Sequence, residues 1–141
     1  MATFVLVHGG WQGGWSWRRV VPHLRADGHE VFTLTLTGLG ERARTYYHVR
    51  VQPGHRARTF SEYSNMRIWK KWCSSVIATL GLVITSVAEV VAEKLSHLVY
   101  LDAWVPTDGQ GMFDLMPPER RDGYREAARG SGEGIGITVG C

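Results

Sequence analysis

Residues 3–14 read TFVLVHGGWQGG, an apolar run that stops at a histidine and a cluster of glycines. Thr3–Val7 is short, continuous and rich in β-branched side chains. A strand with one wet face would alternate, so an unbroken apolar run suits a parallel strand buried on both faces. Gly9, Gly10, Gly13 and Gly14 then let the backbone turn tightly as it leaves the strand.

Outward from this stretch the chain alternates between helix and strand signals. Ser16 stands where it could cap a helix, and Trp17, Val20, Val21 and Leu24 fall on one face at helical spacing. Pro22 lies inside that pattern and should kink the helix or delay its start, and Gly28 is a natural stop. Residues 30–36 (EVFTLTL) alternate like a second strand, after which Thr37-Gly38-Leu39-Gly40 turns away. Strand, helix and strand at these lengths predict a right-handed βαβ unit. From residue 44 to about 80 the pattern dissolves into basic, aromatic and aperiodic sequence, with Pro53 and Gly54 in its middle. Order returns at Leu82: Val83, Val87, Val90 and Val91 share a helical face that Leu95 extends. Leu98-Val99-Tyr100-Leu101 reads as a buried strand ending at Asp102. Pro106, Gly109, Gly111, Pro117 and Pro118 mark loops, residues 119–129 a surface helix, and the glycine-rich sequence from 130 a flexible tail.

At 141 residues the chain has room for one domain and one core. Seventeen glycines and six tryptophans suit sharp loops and a large core or pocket wall. The net charge of +3 is concentrated between Arg42 and Lys71. No aromatic-basic motif of an RNA-binding module accompanies it, so nucleic acid is not an expected partner. Cys73 and Cys141 make no disulfide framework and fit a reducing cytoplasm. Met1 leads straight into a strand pattern without a basic leader, so no signal peptide is expected. Residues 72–88 carry no charge and follow Lys70 and Lys71. They are slightly short of the ~20 apolar residues of a spanning helix and include several serines and threonines, so membrane insertion is the minor reading.

Two blocks carry a resemblance. Residues 1–42 (MATFVLVHGGWQGGWSWRRVVPHLRADGHEVFTLTLTGLGER) resemble the N-terminus of compact α/β-hydrolases related to plant methylesterases, hydroxynitrile lyases and bacterial esterases. Residues 91–121 (VAEKLSHLVYLDAWVPTDGQGMFDLMPPERR) resemble that family's strand after the nucleophile helix and the start of its cap. The resemblance implies a serine on a strained strand-to-helix elbow, a histidine base, an acid and an oxyanion hole of backbone N–H groups, with no metal or cofactor. It assigns Gly10 as an oxyanion donor, a position that a plain tight turn would explain equally well. His8, Gly9 and Trp11 form the same loop, where His8 reads as an ordering residue rather than a base. Asp102 could act as an acid, but the family takes its acid from a later strand, so a structural Asp102 is expected.

No nucleophile is visible. Residues 78–86 (ATLGLVITS) stand where G-x-S-x-G belongs and hold no serine between glycines. Ser16, in Gly14-Trp15-Ser16-Trp17-Arg18, follows the wrong strand and reads better as a helix cap. Ser86 lies inside a helix pattern. No histidine follows His97, whereas the family places its own near the C-terminus, so the 141 residues are expected to be a truncated domain without catalytic residues.

The genetic code offers a cause. If residues 44–80 are read out of frame, each true codon joins the last base of one codon to the first two of the next. Trp69-Lys70 must then give Glu, and Trp72-Cys73 must give Val. Ser75-Val76, Val76-Ile77, Ile77-Ala78 and Ala78-Thr79 permit Gly, His, Ser and Tyr, while Thr79-Leu80 and Leu80-Gly81 permit Ala and Gly. The recovered string V-V-L-V-G-H-S-Y-A-G is a buried strand and a nucleophile elbow, and it runs directly into Leu82.

The expectation is an incomplete α/β-hydrolase fold with a parallel sheet: residues 1–43 and 82–129 family-like, 44–81 out of frame, 130–141 a tail. Thr3–Val7, residues 30–36 and residues 98–101 should be neighbouring parallel strands, flanked by helices over 17–26 and 82–95. The parent activity is expected to be serine carboxylester hydrolysis on small apolar acyl substrates. A hydroxynitrile-lyase-like activity is the alternative, and a non-catalytic binding or membrane-associated protein is the rival from another class.

Overall fold

The computed structural model describes residues 1–42, 72–78 and 81–130. They form two compact units, Met1–Val105 and the segment from Pro106 onward. The first unit is built on four parallel strands: β1 (Thr3–Val7), β2 (Glu30–Leu34), β3 (Trp72–Ala78) and β4 (Leu95–Ala103). Their order across the sheet is β2-β1-β3-β4. Helix α1 (Val21–Ala26) joins β1 to β2, and helix α2 (Gly81–Val91) joins β3 to β4.

The unbroken apolar run of β1 is explained by its place between two strands with cover on both faces. Val5 and Val7 meet Ile84, Val87 and Val91 of α2 together with Leu34 and Leu36. Leu6, on the opposite face, packs with Trp17 and Val31, and Phe4, Val21 and Leu24 close around them. Leu98 and Tyr100 of β4 join the α2 side, as their spacing in the strand requires.

Three sequence expectations need correction. Residues 98–101 do lie in the sheet, as part of the longer β4, but β3 separates them from β1. The sequence as written suggests no strand within 44–80 (only its displaced-frame reading does), yet Trp72–Ala78 pairs with β1 on one side and β4 on the other. The segment carries no charge and holds Val76 and Ile77, which is what a central strand needs, and pairing on both edges overrides its poor periodicity. Residues 72–88 are accordingly not one membrane-length helix: a strand ends at Ala78 and a helix begins at Gly81. No described helix is long and apolar enough to cross a membrane. The other residues of 44–80, and the tail from 131, lie outside the described residues.

The third correction concerns Ser16. The helix expected over 17–26 is split into a 3₁₀ turn, Gly14–Trp17, and a short α1 with Pro22 in its first turn. Proline is accepted there because the N–H it lacks would have no helical partner. Ser16 sits inside the turn and caps nothing; its hydroxyl is buried without a partner among the described residues. Gly28 ends the helix with φ +79°, as its sequence position suggested.

Helix α2 is fastened to β4 at its first turn. The Thr85 hydroxyl donates to the Gly81 carbonyl at 2.9 Å and lies 2.6 Å from the Tyr100 hydroxyl, which therefore donates to it. A side chain on Gly81 would run into the Trp104 carbonyl oxygen, so glycine is what lets the helix start this close to the end of β4. In the second unit a 3₁₀ turn, Met112–Asp114, leads to helix α3 (Pro118–Gly130), where Arg125 stacks 5.3 Å from the Phe113 ring.

Two glycines should respond oppositely to alanine. Gly81→Ala is expected to destabilise the first unit by about 1–3 kcal/mol through forced overpacking. Gly123→Ala, in α3 with open space around it, is expected to add about 0.5–1 kcal/mol of helix stability. Urea titrations followed by circular dichroism of both variants check the pair.

Candidate functional site

Chain direction puts a crevice at one place. From β1 the chain passes through α1 to β2 on one side, while β3 passes through α2 to β4 on the other. In open parallel sheets the gap beyond the C-terminal ends of strands that part in this way is where ligands bind. Here the gap is bordered by the loop after β1, residues 8–14, and by the β3–α2 junction at Ala78 and Gly81.

The loop after β1 is tied down by its own first residue. His8 is fully buried. Its Nδ1–H donates to the Gly9 carbonyl at 2.8 Å, and its Nε2 accepts the Leu36 amide at 3.1 Å. That pattern requires the neutral imidazole with its proton on Nδ1. His8 therefore joins the end of β1 to the end of β2, and both ring nitrogens are engaged in doing so. The Gly9 amide is taken by the Gln12 side chain at 3.3 Å. Gly10, half-buried, makes no hydrogen bond through its amide among the described residues. Trp11 is exposed and holds a left-handed φ of 58°, a conformation that costs a bulky residue energy. Besides Trp11, only Asp102 among the described non-glycine residues has a positive φ, at 49°, and it stands near the C-terminal end of β4.

Residues that follow β2 brace the far end of this loop, a contact that the reading of the sequence missed. The Gly14 amide donates to the Thr35 hydroxyl at 2.7 Å, and that hydroxyl donates to the Glu41 carboxylate. Arg42 Nη1 reaches the Thr35 carbonyl at 3.0 Å. Gly40, with φ +49°, lies so close to Gly13 that a Cβ would meet its Cα at 2.8 Å. The visible clue was the T-G-L-G-E-R turn, where two glycines precede an acid and a base directly after a strand.

Ser86 is exposed on α2, donating to the Leu82 carbonyl at 2.9 Å, and Ser16 belongs to the turn below the loop. Among the described residues no group of three or more His, Cys, Asp or Glu side chains could hold a metal ion.

A parallel sheet wound in both directions, with a glycine loop and a strand-to-helix junction at its crevice, defines a class of α/β enzyme scaffold. No family model matches the chain. A carbendazim-hydrolysing esterase of Nocardioides is 39% identical over 123 residues, covering 83% of this chain and 48% of the esterase. An α-hydroxynitrile lyase of Arabidopsis thaliana is 28% identical over 138 residues, covering 92% of this chain and 48% of the lyase. Among solved structures, an extracellular α/β-hydrolase from Paenibacillus superposes with a TM-score of 0.86 at 25% identity, covering 99% of this chain and 56% of its own. The chain belongs to the α/β-hydrolase superfamily, among its compact esterases, methylesterases and hydroxynitrile lyases. It spans at most about half the length of the curated relatives it matches.

Replacing His8 tests the tie between the strand ends. His8→Leu keeps the volume but leaves the buried Leu36 N–H without its acceptor, at an expected cost of about 1–3 kcal/mol. The midpoint of urea unfolding, followed by tryptophan fluorescence, measures it.

Proposed function

We propose that the parent of this chain is a serine carboxylesterase acting on small apolar acyl substrates, and that the 141 residues alone are inert because 44–80 are read in a displaced frame. The observation that carries the proposal is the β3–α2 junction. The displaced-frame serine codon spans Ile77 and Ala78, the last two residues of β3, and α2 begins only three positions later at Gly81. An elbow serine has to stand between a central strand and the helix that follows it, exposed at the C-terminal edge of the sheet. Gly81, which leaves no space for a side chain against Trp104, fits the small residue that such a sharp turn demands.

The chemistry follows from that position. The serine hydroxyl would attack the ester carbonyl while a histidine takes its proton, and the developing oxyanion would be held by two backbone N–H groups. Gly10 suits one of them, because its amide makes no other hydrogen bond among the described residues. The second would come from the residue after the serine, a tyrosine in the recovered string. Residues 98–141 hold no histidine, so a base has to come from outside these residues. An ester substrate is supported by the name of the Nocardioides relative. A hydroxynitrile-lyase activity is the second reading, favoured by the likeness to the Arabidopsis lyase along nearly all of this chain. A cytoplasmic location, with no membrane or nucleic-acid partner, completes the proposal and rests on cysteine usage and the absence of a binding motif.

The gene sequence tests the frame. One base missing before the 44–80 stretch and one extra base after it restore the elbow; an uninterrupted frame with divergent codons sinks the account. Activity tests the rest. The purified chain is expected to leave activated short-chain esters at background. The frame-restored chain, joined to a C-terminal portion carrying an acid and a histidine, is expected to hydrolyse them. Alanine at the restored serine should then lower kcat by about 10⁶-fold. Turnover by the unmodified chain that Ser16→Ala abolishes would overturn both the inert reading and the frame displacement.

A further inference from the structure

Two loops distant in sequence are locked together beside the crevice, and the Thr35 side chain stands between them. The Thr35 hydroxyl has a single proton. It gives that proton to Glu41, which turns its lone pairs toward the Gly14 amide 2.7 Å away. The same carboxylate fills the space beside Gly13 where a side chain would otherwise stand, next to the Trp15 indole. Arg42 holds the Thr35 carbonyl from the same turn, and Gly40 presses its backbone against Gln12 and Gly13. Gly9 and Gly14 are thus engaged at the two ends of the loop, by Gln12 and by Thr35, and the Gly10 amide is left between them.

We infer that Glu41 is a positioning residue for the 9–14 loop: through Thr35 it fixes the stem of the loop and so sets where the Gly10 amide points. This rests on the reading of that amide as an oxyanion donor only for its catalytic consequence; the lock itself needs no turnover. The Glu41 carboxyl is held below its ordinary value of 4.5, first by the Thr35 hydroxyl and then by its own backbone amide, with Arg42 adding to them against the opposing effect of desolvation; the neutral His8 ring is the other titratable group nearby. Those are the charged or titratable groups that bear on it from the strand end and from its own turn. A group with a lowered folded pKa keeps its interaction above the ordinary value and loses it as pH falls through the lowered one. The Thr35–Glu41 part of the lock is therefore strongest at neutral pH and weakened in acid.

Amide resonances of the isotope-labelled chain, followed from neutral pH into acid, test this. The Gly14 and Gly10 signals are expected to titrate together with a midpoint below 4.5. Glu41→Gln should abolish both responses, and Glu41→Asp should restore them in part. Thr35→Val should speed exchange of the Gly14 amide about five- to tenfold, the worth of one hydrogen bond, whereas Thr35→Ser should not. A Gly10 signal that ignores pH while Gly14 titrates overturns the positioning role. So does a Glu41→Gln variant that titrates like the unmodified chain, or a Thr35→Val variant with unchanged exchange. Failure of the esterase proposal would appear in the gene sequence and the ester assay and would leave these signals as they are.

Discussion

A strand segment buried on both faces leaves no room for polar side chains, and Val5–Val7 of β1 is such a segment. Val5 and Val7 face one helix layer and Leu6 the other, so hydrogen-bonding chemistry can begin only where the strand stops. It begins with His8, which is as buried as the valines before it and has to satisfy both ring nitrogens from backbone. Its partners are the carbonyl of the next residue and an amide from the end of β2. The path of the following loop is a consequence. Once His8 holds Leu36, the glycines must pass over the end of β2, and Thr35, Glu41 and Arg42 meet them there.

Much of this arrangement was legible in the sequence. The unbroken TFVLV run, the interrupted helix at Pro22, the stop at Gly28 and the apolar spacing of Val83, Val87 and Val91 each express a local rule that the tertiary structure obeys. Bounds shifted by a few residues where ends are set by turns, as at Leu34 and Ala103. What escaped was β3. A central strand is stabilised by backbone pairing with neighbours far away in the chain, and its own residues need only avoid charge, so periodicity says little. The Thr35–Glu41 relay escaped for another reason: a carboxylate two turns beyond a strand looks like any solvated acid until the loop it touches is folded against it.

The comparison with relatives divides the same way. Likeness to esterases and a hydroxynitrile lyase follows the scaffold, which supports several reactions at one crevice. On the proposed reading, the reaction depends on atoms at the β3–α2 junction and on a histidine that residues 98–141 do not supply. Scaffold and reaction have separate physical requirements. The first survives wherever apolar spacing and glycine turns are kept; the second is lost with a single hydroxyl.

The outer edge of β4 shapes how such a chain behaves in company. Val99 and Leu101 are 41% and 51% exposed, and Val105 beyond them 55%. No described strand pairs with that edge. A nine-residue row of backbone donors and acceptors beside apolar side chains is adhesive to any extended polypeptide, whatever its sequence. Sheets with an unpaired edge of this kind tend to join edge to edge as concentration rises, a tendency that like net charge opposes.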